Sequence, residues 1–124
     1  MSKIIHTENA PEAIGPYSQA IVTGGLVFTS GQIPINPKNG NIESKTIEEQ
    51  TEQVCKNLKA VLEASGSSLD KVVKTVCFLQ NMEDFAEFNK VYEKYFVSKP
   101  ARSCVAVKAL PKGALVEVET VAEI

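Results

Sequence analysis

Apolar residues recur at two different periods along this chain, and the switches between them outline its architecture. In "QAIVTGGLVFTSG", residues 19–31, two short apolar runs flank Gly24-Gly25, the signal of a hairpin with a two-residue turn. The two prolines and the Asn-Gly pair of "QIPINPKNGNI" mark a loop or turn. The spacing then changes. Ile47, Val54, Cys55, Leu58, Val61 and Leu62 recur at helical intervals in "TIEEQTEQVCKNLKAVLEASG". Thr46 with Glu49 three residues on is a capping-box signature, and Gly66 supplies the stop. The Lys and Glu residues of this segment read as its solvated face.

The second half repeats the alternation. "KVVKTVCFLQ" reads as a strand that is apolar on both faces, as in the middle of a covered sheet. "NMEDFAEFNKVYEKYF" reads as a helix capped by Asn81, with Glu83 and Asp84 in its first turn. Phe85, Phe88, Tyr92, Tyr95 and Phe96 form its apolar stripe, and Pro100 prevents its continuation. "RSCVAVKA" and "ALVEVETVAEI" are two further strands around "LPKG". The order β-β-α-β-α-β-β describes an α+β sandwich of one sheet and two helices. Two helices cover only one face, yet "VVKTVCFL" and "CVAV" are apolar on both. A homo-oligomer is the simplest cover for the other face.

Composition narrows the class. The 124 residues suit one domain, 1–124, of a size that buries a core without staples. Hydrophobic residues at 44% and charged residues at 23% are ordinary for a globular protein. Net charge is −2, from 13 basic and 15 acidic residues, with no basic stripe, which disfavours duplex nucleic acid as a partner. Cys55, Cys77 and Cys104 are odd in number and widely spaced, so neither a zinc site nor a disulfide framework is expected. No run is long and apolar enough for a signal peptide or a membrane span, and a cytoplasmic location is expected.

The candidate chemistry centres on "KPARSCVAV", residues 99–107, where an arginine stands at the mouth of an apolar strand. Arginine is seldom buried without a partner. Arg102, Cys104 and Ala106 share one strand face, and Leu115, Glu117, Glu119 and Val121 share another. If the two strands pair as a hairpin around "LPKG", Arg102 and a glutamate meet at one end of the sheet. That pair is either a structural ion pair or a site in which the arginine fork takes a ligand carboxylate. Cys104 reads as a small buried hydrophobe. A nucleophilic role wants a histidine base, and the lone His6 lies in the N-terminal arm. Tyr17 reads as a packing ring, Gly31 as a tight turn beside Ser30, and Asn89 as a solvated helix position.

Four segments carry a family resemblance. "ENAPEAIGPYSQA", "FTSGQIPINPKNG", "VVKTVCFLQNMEDFAEFNKVYEKYF" and "PARSCVAVKALPKGALVEVE" resemble, in this order, the RidA/YjgF reactive-intermediate deaminases. These proteins are also called endoribonuclease L-PSP or translation inhibitors. The resemblance implies a chorismate-mutase-like α+β fold with a mixed sheet, assembled as a homotrimer around a central barrel, with sites between subunits. It implies hydrolysis of 2-aminoacrylate, 2-iminopropanoate and 2-iminobutanoate to 2-oxo acids and ammonia, with no cofactor and no metal. By the same resemblance Arg102 clamps the substrate carboxylate and Glu117 orients or activates the attacking water. Tyr17, Ser30, Gly31, Asn89 and Cys104 line the pocket, Cys104 through its backbone N–H. Two other functions are compatible with membership: an endoribonuclease that inhibits translation, and a non-catalytic regulator that binds 2-oxo acids.

Overall fold

A computed structural model describes residues 1–124. Six strands form one sheet: β1 (Lys3–Ile5), β2 (Ala20–Thr23), β3 (Leu26–Thr29), β4 (Val72–Leu79), β5 (Ala101–Ala106) and β6 (Val116–Glu123). The helices are α1 (Ile47–Ala64) and α2 (Phe85–Tyr95). The spatial order is β1-β2-β3-β6-β4-β5, and only the β4–β5 pair is parallel. The architecture is the mixed-sheet α+β domain expected, with β1 as an additional strand paired to β2. Three residues are too few for period 2 to register.

Local signals act as read. Gly24 and Gly25 both have positive φ, 58° and 78°, which the tight β2–β3 turn requires. The Thr46 hydroxyl accepts the Glu49 N–H at 3.2 Å and caps α1. Gly66, at φ 85°, lets the Ser67 N–H turn back to the Leu62 carbonyl at 2.9 Å. The start of α2 differs from expectation. The Asn81 side chain caps nothing, and a 3-10 turn, Met82–Asp84, leads into the helix at Phe85.

The larger correction concerns "LPKG". β5 and β6 do not form a hairpin. The chain leaves β4, crosses through α2 and returns as β5 at the sheet edge, parallel to β4 as such a crossover requires. β6 then inserts between β3 and β4. The reason is burial: Val116, Val118, Thr120 and Ala122 alternate inward and are almost fully buried, which an edge position would not allow.

One face of the sheet and both helices enclose the core. Val54, Leu58, Val61 and Leu62 of α1 and Phe88 and Tyr92 of α2 meet Val27, Cys77, Leu79 and Val118 of the sheet. The other face is uncovered. Phe28 and Val105 are 43% and 47% exposed there, with Val76, Phe78 and Val121 half-buried beside them.

Candidate functional site

The register separates the expected site residues into two groups. Arg102 lies opposite Thr75, and Thr75 lies opposite Thr120, so all three point to the helix side. Glu117 is three residues from Thr120 and therefore points to the uncovered face. Within one chain, Arg102 and Glu117 are about 10 Å apart across the strands and about 10 Å along them, on opposite faces. Glu119 shares the Glu117 face. The expected Arg–Glu pair thus does not form within a chain, and the displaced β6 is the cause.

The first group is built on α2. Phe85, Asn89 and Tyr92 form one stripe at helical spacing that faces β5. Arg102 Nη1 donates to Asn89 Oδ1 at 2.8 Å. The guanidinium carbon lies 5.3 Å from the Phe85 ring centre and 4.8 Å from that of Tyr92. Both contacts fall within cation–π range. No carboxylate pairs with Arg102, for the ion pairs of the chain are His6–Glu12 and Lys90–Glu87. A pocket of about 810 Å³ opens beside it, lined in part by Asn89, Tyr92, Lys99 and Arg102. A half-buried, oriented and unpaired fork at a pocket suits a bound carboxylate. Asn89 is therefore no idle solvated position, and Phe85 and Tyr92 do more than pack.

The second group lies on the loop after β3. Between Phe28 and Gln32 the chain parts from β6, then rejoins it where the Gln32 and Val118 backbones exchange hydrogen bonds of 2.9 and 3.2 Å. This detour brings Gly31 against Glu117. A Cβ on Gly31 would stand 2.9 Å from the Glu117 carboxyl carbon and 3.1 Å from its Cγ. Its φ is not positive, so close approach rather than turn geometry demands glycine here. Ser30 is tied to the preceding segment, its hydroxyl donating to the Ser18 carbonyl at 2.5 Å. Tyr17 is 53% exposed and shares a pocket of about 250 Å³ with Gly31. Burial raises the proton affinity of Glu117, and the neighbouring Glu119 charge raises it further.

Cys104 stands two residues beyond Arg102 on the same face and lines neither pocket. Burial pushes its thiol pKa up, against a partial lowering by Arg102, which opposes thiolate formation. His6 follows β1, at the far edge of the sheet from β5, and pairs with Glu12 at 3.3 Å. No base for Cys104 comes from that direction.

Three buried amides hold the second group in place, and their roles were not read from the sequence. Asn57 donates to the Ile33 and Ile35 carbonyls at 3.2 and 2.9 Å. Gln50 accepts the Leu115 N–H at 2.8 Å, at the root of β6. Gln19 accepts from the Thr7 N–H at 2.7 Å and donates to the Pro11 carbonyl at 2.8 Å. A signal existed: Ile47, Gln50, Val54, Asn57 and Val61 follow one helical stripe, so two amides occupy core positions.

Comparison with known proteins places the chain. The sequence model for endoribonuclease L-PSP matches residues 7–124. The chain belongs to the RidA/YjgF family. Among its relatives in that family is the 2-iminobutanoate/2-iminopropanoate deaminase of Escherichia coli K12, 46% identical over 98% of both chains. A Lactococcus lactis protein named for a regulatory role, AldR, is 54% identical over 98% of both. The crystal structure of the Rid family protein YyfA from Yersinia pestis superposes with a TM-score of 0.97, at 51% identity and full coverage of both chains. The RidA/YjgF fold is thus shared over the whole length. No helix here is long and apolar enough to cross a membrane.

Proposed function

We propose that the protein hydrolyses short 2-imino acids and their enamine tautomers, such as 2-aminoacrylate, 2-iminopropanoate and 2-iminobutanoate, to 2-oxo acids and ammonia. The observation that carries this reading is Arg102: oriented by Asn89, backed by two rings, unpaired, and set at a pocket. The name of the Escherichia coli relative supports the substrate class.

The opposed faces of Arg102 and Glu117 favour a site shared between copies of the chain. In the homotrimer we propose, Arg102 and Asn89 of one subunit face Tyr17, Ser30, Gly31 and Glu117 of its neighbour. The uncovered sheet face with Phe28 and Val105 supplies an apolar surface for assembly. Arg102 grips the carboxylate through its fork and so places the imine carbon. Glu117 takes a proton from water as the oxygen adds to that carbon. That proton passes to the nitrogen to complete the carbinolamine; Glu117 then takes the hydroxyl proton and returns it to the same nitrogen, and ammonia leaves as the carbonyl forms. A carboxyl with raised proton affinity suits such a shuttle near neutral pH. Cys104 has no nucleophilic part in this scheme, since burial disfavours its thiolate.

The test couples the protein to a threonine dehydratase and follows release of 2-oxobutanoate. Wild type is expected to accelerate it, and Arg102→Ala to remove the acceleration. No acceleration by wild type overturns the deaminase reading. A 2-oxo-acid-binding regulator is the second reading, since the Arg102 clamp serves it equally. It is favoured if Glu117→Ala behaves as wild type while Arg102→Ala loses 2-oxobutanoate binding. The endoribonuclease reading has the net charge of −2 against it.

A further inference from the structure

Tyr92 does not only lie beneath the guanidinium. Its hydroxyl is hydrogen-bonded to Thr75 Oγ1 at 2.8 Å. Thr75 is in turn the cross-strand neighbour of Arg102 in the β4–β5 ladder. The three residues therefore close a triangle: backbone register joins Thr75 to Arg102, a hydroxyl pair joins Thr75 to Tyr92, and the ring joins Tyr92 to the guanidinium. Thr75 is fully buried and Tyr92 is 8% exposed, so water does not compete for either hydroxyl. Tyr92 also stacks on Phe96 at 4.4 Å between ring centres, a further contact that restrains the ring.

We infer that Thr75 and Tyr92 are positioning residues that set the plane of the Arg102 fork. The inference rests on the reading of Arg102 as the carboxylate clamp. A free arginine side chain loses rotamer freedom when it binds, and that loss weakens affinity. Here the loss has already occurred on folding. Asn89 fixes one Nη1 edge, Phe85 and Tyr92 bound the guanidinium, and Thr75 keeps the Tyr92 ring from swinging. The remaining N–H groups of the fork are left for a ligand. Neither Thr75 nor Tyr92 need touch the substrate.

The clamp contacts the carboxylate before and during reaction alike, and Asn89 still holds one edge of the fork in these variants, so the loosening weakens binding more than it misplaces the imine carbon. Tyr92→Phe keeps the ring and removes the hydroxyl pair. Thr75→Val keeps the volume and removes the hydroxyl partner, and Thr75→Ser restores it. Tyr92→Phe and Thr75→Val are expected to raise KM in the coupled assay five- to twentyfold, with kcat within about twofold of wild type. Thr75→Ser is expected to return KM to within about twofold. The Kd for 2-oxobutanoate, measured by calorimetry, is expected to rise in parallel with KM. Thermal melts of all three variants accompany these measurements. Unchanged KM and Kd in Tyr92→Phe overturn the inference, as does a fall in kcat that follows lost melting temperature at constant KM. If Arg102→Ala itself binds 2-oxobutanoate like wild type, the clamp reading has failed first. If Arg102→Ala loses binding while Tyr92→Phe and Thr75→Val keep it, only the positioning role is wrong.

Discussion

Arg102 and Glu117 of one chain face away from each other, on opposite sides of the sheet and on strands separated by β4. A site that needs both draws them from different subunits. Arg102→Ala and Glu117→Ala are each expected to be inactive alone. Mixed by unfolding and reassembly in equal amounts, they are expected to recover about a quarter of the wild-type sites, because some interfaces combine the two intact faces. Failure of the mixture to exceed its parents, with mixed assemblies confirmed by mass spectrometry, would mean the two groups act within one chain.

The Gly31–Glu117 contact makes a separate prediction. Glu117 can swing aside for a methyl group, so Gly31→Ala folds with a melting temperature near that of wild type. In the proposed reaction the displaced carboxylate no longer meets the attacking water. A loss of about a hundredfold in kcat is expected, the usual cost of a shift near 1 Å in a reacting group. A variant with undiminished kcat would remove Glu117 from the chemistry.

Glu117 also predicts a pH dependence. Its proton affinity is raised in the folded state by burial and by Glu119. The native protein therefore holds a proton more tightly than the unfolded chain, and stability falls as pH rises above the ordinary carboxylate value. Glu117→Gln is expected to raise the melting temperature more at pH 8 than at pH 4, where the native carboxyl is already protonated. In activity, the acid limb of kcat/KM is expected to lie above the ordinary glutamate range. Equal stabilisation by Glu117→Gln at both pH values would contradict the shift.

Asn57 ties the fold to the site. Asn57→Leu strips the buried Ile35 carbonyl of its donor and leaves the Ile33 carbonyl with the Ile35 N–H alone. Urea unfolding is expected to show a loss of about 2 kcal/mol, the usual cost of an orphaned buried acceptor. The loop that carries Gly31 loses its anchor as well, so kcat/KM should fall further than that of a core variant with at least as large a stability loss, such as Leu62→Ala made in parallel.

The elements were legible wherever a local pattern decides them. "VEVE" alternates apolar and polar and opens β6, and Thr46 with Glu49 caps α1. The order of the strands was not legible. "LPKG" joins two strands that sit on either side of β4, a choice made by burial of Val116, Val118 and Ala122 across the molecule rather than by the turn itself. The site divides in the same way. Arg102 is legible because an arginine before an apolar strand lacks a local explanation. Asn89 and Gly31 have ordinary local ones, a helix surface and a turn. Only the arrival of Arg102 beside the one, and of Glu117 beside the other, shows why those residues stand there.

The placing of β6 also bears on how the molecule is made. The strand at the middle of the sheet follows all the others in the chain. Until it emerges, β1–β3 and the β4–α2–β5 unit have no shared hydrogen-bonded neighbour, and both β3 and β4 present a bare edge. The same late strand carries Glu117. Assembly of the sheet and delivery of the Glu117 carboxylate are thus one event, and a chain halted before Val116 is both unjoined and without that carboxylate.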